Sequence, residues 1–107
     1  MNIYFPEVWM DSRISNSIRH CEQLLPFFKV VSNTTRFKIL CILNEGERRV
    51  GDIQQILGAK QSYVSQQLKY LKNAGYLSNR REGTQIYYSL INRKFPKILR
   101  SMKDIMN

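Results

Sequence analysis

The chain has 107 residues, 43% of them apolar, so it is one domain's worth with enough apolar matter for a core. Seventeen Lys and Arg against eight Asp and Glu give a formal net charge of +9, which implies a polyanionic partner, either nucleic acid or an anionic membrane surface. No apolar run approaches the roughly 18 residues of a membrane span, and two cysteines are too few for a disulfide scaffold.

Met1 to Met10 is apolar but broken by Pro6 and Glu7, without the basic lead of a signal peptide, so a cytoplasmic location is expected. Residues 1–12 read as an N-terminal extension, with Ile3, Tyr4, Phe5, Val8 and Trp9 either covering a dimer interface or forming a loose tail. Residues 13–107 read as one domain.

A first helix is predicted to start at Asp11 or Ser12, both good caps. Ile14, Ile18, Cys21, Leu25 and Phe28 recur at spacings of 4, 3, 4 and 3, a stripe on one face. Pro26 should kink or split that helix. Asn33-Thr34-Thr35 offers new caps, and Arg36 to Leu43 is apolar nearly all round, as a central core helix is. Gly46 is expected to end it. A short helix follows from about Val50 to Leu57 with Ile53, Ile56 and Leu57 inward. After Gly58-Ala59-Lys60 a longer helix runs from Gln61 or Ser62 to Ala74, with Val64, Leu68 and Leu71 inward. Its opposite face carries Ser62, Gln66, Lys69 and Asn73, flanked by Tyr63, Ser65 and Tyr70. The period then becomes two. Leu77 to Arg81 and Gln85 to Leu90 read as a hairpin around Glu82-Gly83-Thr84. A last helix begins after Asn92, tolerates Pro96 in its first turn, and repeats Phe95, Ile98, Met102 and Ile105.

The charge is uneven along this order. Residues 1–60 carry 8 basic and 6 acidic side chains, and residues 61–107 carry 9 and 2. The polyanion contact is therefore expected mostly in the second half.

Two short helices joined by a three-residue turn have the spacing of a helix-turn-helix. The second offers short polar and amide side chains. Gln pairs bidentately with adenine, Lys reaches guanine or phosphate, and Ser serves either. Ser62 at a helix start also suits a phosphate. The hairpin tip adds Arg80, Arg81, Thr84 and Gln85 as a basic wing for phosphates or the minor groove. An outward polar face is usually only a solvated one. Here it is joined to a turn of the right length, a basic wing and an excess of cations.

At this point the sequence resembles the ArsR/SmtB winged-helix repressors. Ser32-Asn33-Thr34-Thr35-Arg36-Phe37-Lys38-Ile39-Leu40 is similar to the junction of their first two helices. Gln61 to Leu71, followed by Ala74-Gly75-Tyr76-Leu77, is similar to their recognition helix and its exit, and Arg80 to Leu90 to their wing. The resemblance spans roughly residues 14–107, and Gln67 stands where the family often has His. It implies a homodimeric, operator-binding repressor whose first and last helices form the dimer interface.

The resemblance also bears on the signal. One thiolate metal site of the family lies in a Glu-Leu-Cys-Val-Cys-Asp-Leu-like motif, and the matching stretch here is Glu47-Arg48-Arg49-Val50-Gly51-Asp52-Ile53. Arg49 and Gly51 cannot ligate a soft metal. The other common site uses Asp, His and Glu on the last helix, where this chain has only Asp104. No metal and no cofactor are therefore expected. His20 and Cys21 leave open only an intersubunit site. Cys41 resembles a cysteine of the metal-independent HlyU and BigR-like subgroup, but the partner cysteine of those relatives, in the last helix, is missing. Cys21 and Cys41 are thus a candidate redox pair, if their Cα atoms come within about 7 Å, or small core hydrophobes.

The expected architecture is an α+β, mostly α, winged helix-turn-helix: four helices, a two-stranded hairpin and a fifth helix. DNA contacts are expected from Gln61, Ser62, Tyr63, Ser65, Gln66, Lys69, Lys72, Arg80, Arg81, Thr84 and Gln85. The dimer interface is expected from Ile14, Ile18, Cys21, Leu25, Phe95, Ile98, Met102 and Ile105. The partners are double-stranded operator DNA and a second copy, with no membrane and no small-molecule substrate. No catalytic set assembles from one His and eight scattered acids. The rival reading is a winged helix that binds protein or RNA without operator specificity.

Overall fold

A computed structural model describes residues 11–107. Asp11 caps α1 (Ser12–Glu22), its carboxylate accepting from the Arg13 amide at 2.7 Å. The chain breaks at Gln23–Leu24 and resumes as α2 (Leu25–Val31), with Pro26 in its first turn, where a missing amide hydrogen costs nothing. The expected long first helix is therefore two helices. The N-terminal extension lies outside the described residues except for Asp11 and Ser12, which begin α1.

Asn33 caps α3 (Thr34–Asn44) by accepting from the Arg36 amide at 2.9 Å. This helix is apolar on several sides because it sits centrally, between α2, α4, α5 and the sheet. Ile39, Leu40 and Leu43 are buried, and Phe37, Cys41 and Ile42 are half-buried. After Glu45 and Gly46 comes β1 (Arg48–Arg49), a two-residue strand that hydrophobic alternation does not announce.

Helix α4 (Val50–Leu57) ends at Gly58, whose φ of 63° is left-handed and strained for any residue with a Cβ. Helix α5 (Gln61–Asn73) follows. Strands β2 (Leu77–Glu82) and β3 (Gln85–Leu90) form the hairpin, with Gly83 at φ 62° in its turn. The sheet order is β1-β3-β2, antiparallel throughout, with Arg49 opposite Tyr87, Arg80 opposite Tyr87 and Arg81 opposite Ile86. Helix α6 (Lys94–Met106) starts where Asn92 Oδ1 accepts from the amides of Lys94 and Phe95, each at 2.9 Å.

One core joins these elements. Ile39, Leu40, Ile53, Val64, Leu68 and Leu71 are fully buried, so α3 is central as its all-round apolarity implies and the inward face of α5 falls where the periodicity placed it. Two side chains depart from it. Ile56 is 59% exposed, because α4 is only two turns long and packs on one face. Phe95, expected at a dimer interface, is 1% exposed and packs edge-on against Phe37 with ring centroids 6.1 Å apart. It has no surface left for a partner.

The radius of gyration is 18.1 Å. A compact chain of this length has about 13 Å. The excess comes with an apolar surface left open on α1, α2 and α6: Ile18, Leu24, Leu25, Phe28, Met102, Ile105 and Met106 are all exposed.

Candidate nucleic-acid interface

The helix-turn-helix is α4, the turn Gly58-Ala59-Lys60, and α5. The buried row Val64, Leu68 and Leu71 fixes the rotation of α5. That rotation leaves Ser62, Gln66, Lys69 and Asn73 exposed on the far side and Gln61, Ser65 and Lys72 exposed along one flank. Gln61 and Ser65 share a cleft of about 390 Å³ with Thr84, Gln85 and Ile86 of the wing and Gln54 of α4. Helix α5 and the wing thus border one groove, with polar side chains at its rim and Val50, Leu68, Ile86 and Tyr88 also lining it. A second open hollow of about 590 Å³ continues from it, lined by Arg49, Asp52, Gln54, Gln55 and Gln85.

Gln54 and Arg49 were not anticipated as lining residues. Their only sequence signal is that they are polar positions, Gln54 on α4 and Arg49 just before it. Arg49 donates to both Asp52 carboxylate oxygens, at 3.2 and 3.0 Å, which holds that carboxyl below the usual range.

Two further groups fasten α5 to the rest of the fold. Asn33 Nδ2 donates to the Tyr63 hydroxyl at 3.0 Å. This and a bond to Thr35 pull the phenol below its ordinary value, so the tip of Tyr63 is engaged by the α2–α3 junction. Arg36 donates from Nε to the Val30 carbonyl at 2.7 Å, from Nη2 to the Lys29 carbonyl at 2.9 Å, and from Nη1 to Gln67 Oε1 at 3.2 Å. Its guanidinium lies 4.2 Å over the Tyr70 ring. Arg36 was not singled out as functional from the sequence, since its partners lie up to 31 positions away.

On the wing, Arg81, Thr84 and Gln85 are exposed. Arg80 sits between two carboxylates, Glu47 and Glu82. The charge count also shifts. Arg93, Lys94, Lys97, Arg100 and Lys103 all lie on or next to α6, not on the recognition helix or wing. The cations of the second half that lie on α5 or the wing are Lys69, Lys72, Arg80 and Arg81.

Cys21 is exposed and Cys41 half-buried, and both are free thiols. Burial pushes the Cys41 thiol up, against a smaller downward pull from Lys103. Among the described residues no three His, Cys, Asp or Glu side chains converge, and no helix is long and apolar enough to cross a membrane.

A hairpin wing within a three-stranded sheet, a helix-turn-helix and a polar α5 face define a winged helix-turn-helix protein. Residues 33–79 match the family described as "Bacterial regulatory protein, arsR family". The "Biofilm growth-associated repressor" of Xylella fastidiosa is 31% identical over 87 residues, 81% of this chain and 76% of that protein. The crystal structure of the transcriptional repressor BigR from Xylella fastidiosa superposes with a TM-score of 0.76 at 29% identity, covering 87% of this chain and 95% of the other. HlyU from Vibrio cholerae N16961 superposes with a TM-score of 0.71 at 26% identity, covering 80% and 94%. The chain belongs to the ArsR family of bacterial transcriptional regulators. The relatives bear the names of regulators, not of enzymes.

Proposed function

We propose that the chain binds a pseudo-palindromic DNA operator as a homodimer and represses transcription from it, in the cytoplasm. The observation that carries this reading is the groove in which Gln61 and Ser65 of α5 face Thr84 and Gln85 of the wing. Gln61, Ser62, Ser65 and Gln66 read base edges or groove, with the ring of Tyr63 beside them. Lys69, Lys72 and Arg81 neutralise phosphates and make the affinity salt-dependent. Residues 13–107 serve as the DNA-binding and dimerisation unit. The dimer forms through the open faces of α1, α2 and α6, with Ile14, Ile18, Cys21, Leu25, Ile98, Met102 and Ile105. That would set two α5 helices about 34–36 Å apart in successive major grooves. Repression is favoured by the names of two of the relatives, the "Biofilm growth-associated repressor" and the "Transcriptional repressor SdpR" of Bacillus subtilis, whereas HlyU of Vibrio cholerae is named a transcriptional activator.

The test is an anisotropy titration, at fixed salt, of a duplex selected by the protein from a random-sequence pool, against a scrambled duplex. It is run reduced, oxidised and with added zinc. Tight binding to the selected duplex by a dimer supports the reading. Equal affinity for both duplexes, or binding by a monomer, favours the protein- or RNA-interaction module. Loss on oxidation alone assigns the signal to Cys21 and Cys41, and loss on zinc alone to a metal shared between subunits.

A further inference from the structure

Arg80 has the composition of a phosphate contact and the surroundings of a tether. All three guanidinium nitrogens are engaged: Nε and Nη2 donate to Glu47 at 3.1 and 2.8 Å, and Nη1 donates to Glu82 at 2.6 Å. The plane of the group lies 4.3 Å over the Tyr87 ring. Each contact has a reason in the sheet. Arg80 stands opposite Tyr87, so the two share a face, and Glu82, two residues on, shares it too. Glu47 comes from the segment just before β1, which pairs with β3 on the other side. One side chain therefore spans the whole sheet, from β2 across β3 to the approach to β1.

Arg81 is placed differently. It stands opposite Ile86, and Ile86 lines the groove shared with Gln61 and Ser65. Strand alternation turns Arg81 toward the face that borders the recognition helix and Arg80 toward the opposite one. The charges agree with this division. One cation between two carboxylates adds no positive charge for a phosphate, whereas the Arg81 side chain has neither a hydrogen bond nor an ion pair among the described residues.

We propose that Arg80 is a positioning residue, which ties the wing to the Glu47 segment and so sets where Arg81, Thr84 and Gln85 meet DNA, and that it makes no phosphate contact itself. This rests on the DNA-binding reading above.

The experiment compares wild type, Arg80→Gln, Arg81→Gln, Glu47→Gln and the double variant Arg80→Gln/Glu47→Gln on the duplex selected by the wild type, over a range of salt. Each lost phosphate contact lowers the magnitude of the slope of log K against log salt by about 0.9, so a substitution carried by both subunits of the dimer lowers it by about 1.8. Arg81→Gln should show that fall. Arg80→Gln should weaken binding several-fold at each salt while keeping the wild-type slope, and adding Glu47→Gln should weaken it no further. A slope that falls in Arg80→Gln as it does in Arg81→Gln overturns the proposal, as does unchanged affinity. Hydrogen exchange of the free proteins reads the tether without DNA: Arg80→Gln and Glu47→Gln should each speed exchange across residues 77–90. If wild type binds no duplex selectively, the DNA-binding reading falls, and the exchange rates alone decide whether Arg80 holds the wing. Unaltered exchange would reject the tether.

Discussion

Arg36 hands its Nη1 hydrogen to Gln67 Oε1 at 3.2 Å, bridging the central helix α3 to the recognition helix α5. The same guanidinium holds two carbonyls at the end of α2, which lack helical partners and carry the negative end of the helix dipole. The fork thus joins three helices at one point. Arg36→Ala should lower stability by about 2 kcal/mol, the scale of hydrogen bonds to a charged group. Arg36→Lys should recover little of this, because an ammonium cannot reproduce a planar fork that also stacks on Tyr70. Urea denaturation of both variants measures it. A wild-type midpoint for Arg36→Ala would contradict the bridge.

The open apolar face predicts opposite results for two side chains of α6. Met102→Glu changes an exposed residue, so the fold should stand while sedimentation shifts from dimer to monomer. Phe95→Ala empties a core position and should cost about 3–5 kcal/mol in unfolding free energy. Assembly that survives Met102→Glu would exclude this part of α6 from the interface.

The two thiols should differ in reactivity. Only the thiolate attacks an alkylating reagent, and burial keeps Cys41 protonated above the ordinary thiol range. In the monomeric Met102→Glu variant, where no partner covers the α1 face, iodoacetamide at neutral pH should therefore modify the exposed Cys21 first, and Cys41 should gain rate only as the pH rises beyond the ordinary thiol range. Mass spectrometry of the two peptides over time gives both rates. Faster modification of Cys41 at neutral pH would contradict this environment.

Acid should loosen the wing through Glu47. The bond from Arg80 holds this carboxyl below its ordinary range, so the folded chain binds the proton less readily than the unfolded one. The stability it contributes is complete above the unfolded value of about 4.3 and is lost as the pH falls through the lowered folded value. Glu47→Gln should accordingly make the urea midpoint less sensitive to pH below about 4. An unchanged pH dependence would show that this ion pair contributes nothing in solution, as exposed pairs often do not.

Local signals in the sequence were sufficient for most of the fold. Val64, Leu68 and Leu71 repeat at helical spacing and are fully buried, Pro26 breaks the first helix, and Gly58 and Gly83 mark the two turns at positive φ. The polar face of α5 follows from the same periodicity. What stayed hidden depends on contacts between distant segments. The Arg80–Glu47 pair spans 33 positions and the Arg36–Gln67 bond 31. Strand β1 is two arginines with no alternation to read. Phe95 and Met102 lie on one apolar stripe, and spacing alone does not separate the core part of that stripe from its open part.

The central claim is that the exposed face of α5 reads sequence. Its most direct test is selection of duplexes from a random pool by wild type and by Gln66→Ala. Wild type should enrich an inverted repeat with half-sites one helical turn apart. Gln66→Ala should keep the repeat but lose preference at one base pair of each half-site, where a bidentate amide contact is worth about 1–3 kcal/mol. An identical profile for both proteins, or no inverted repeat from either, would contradict it.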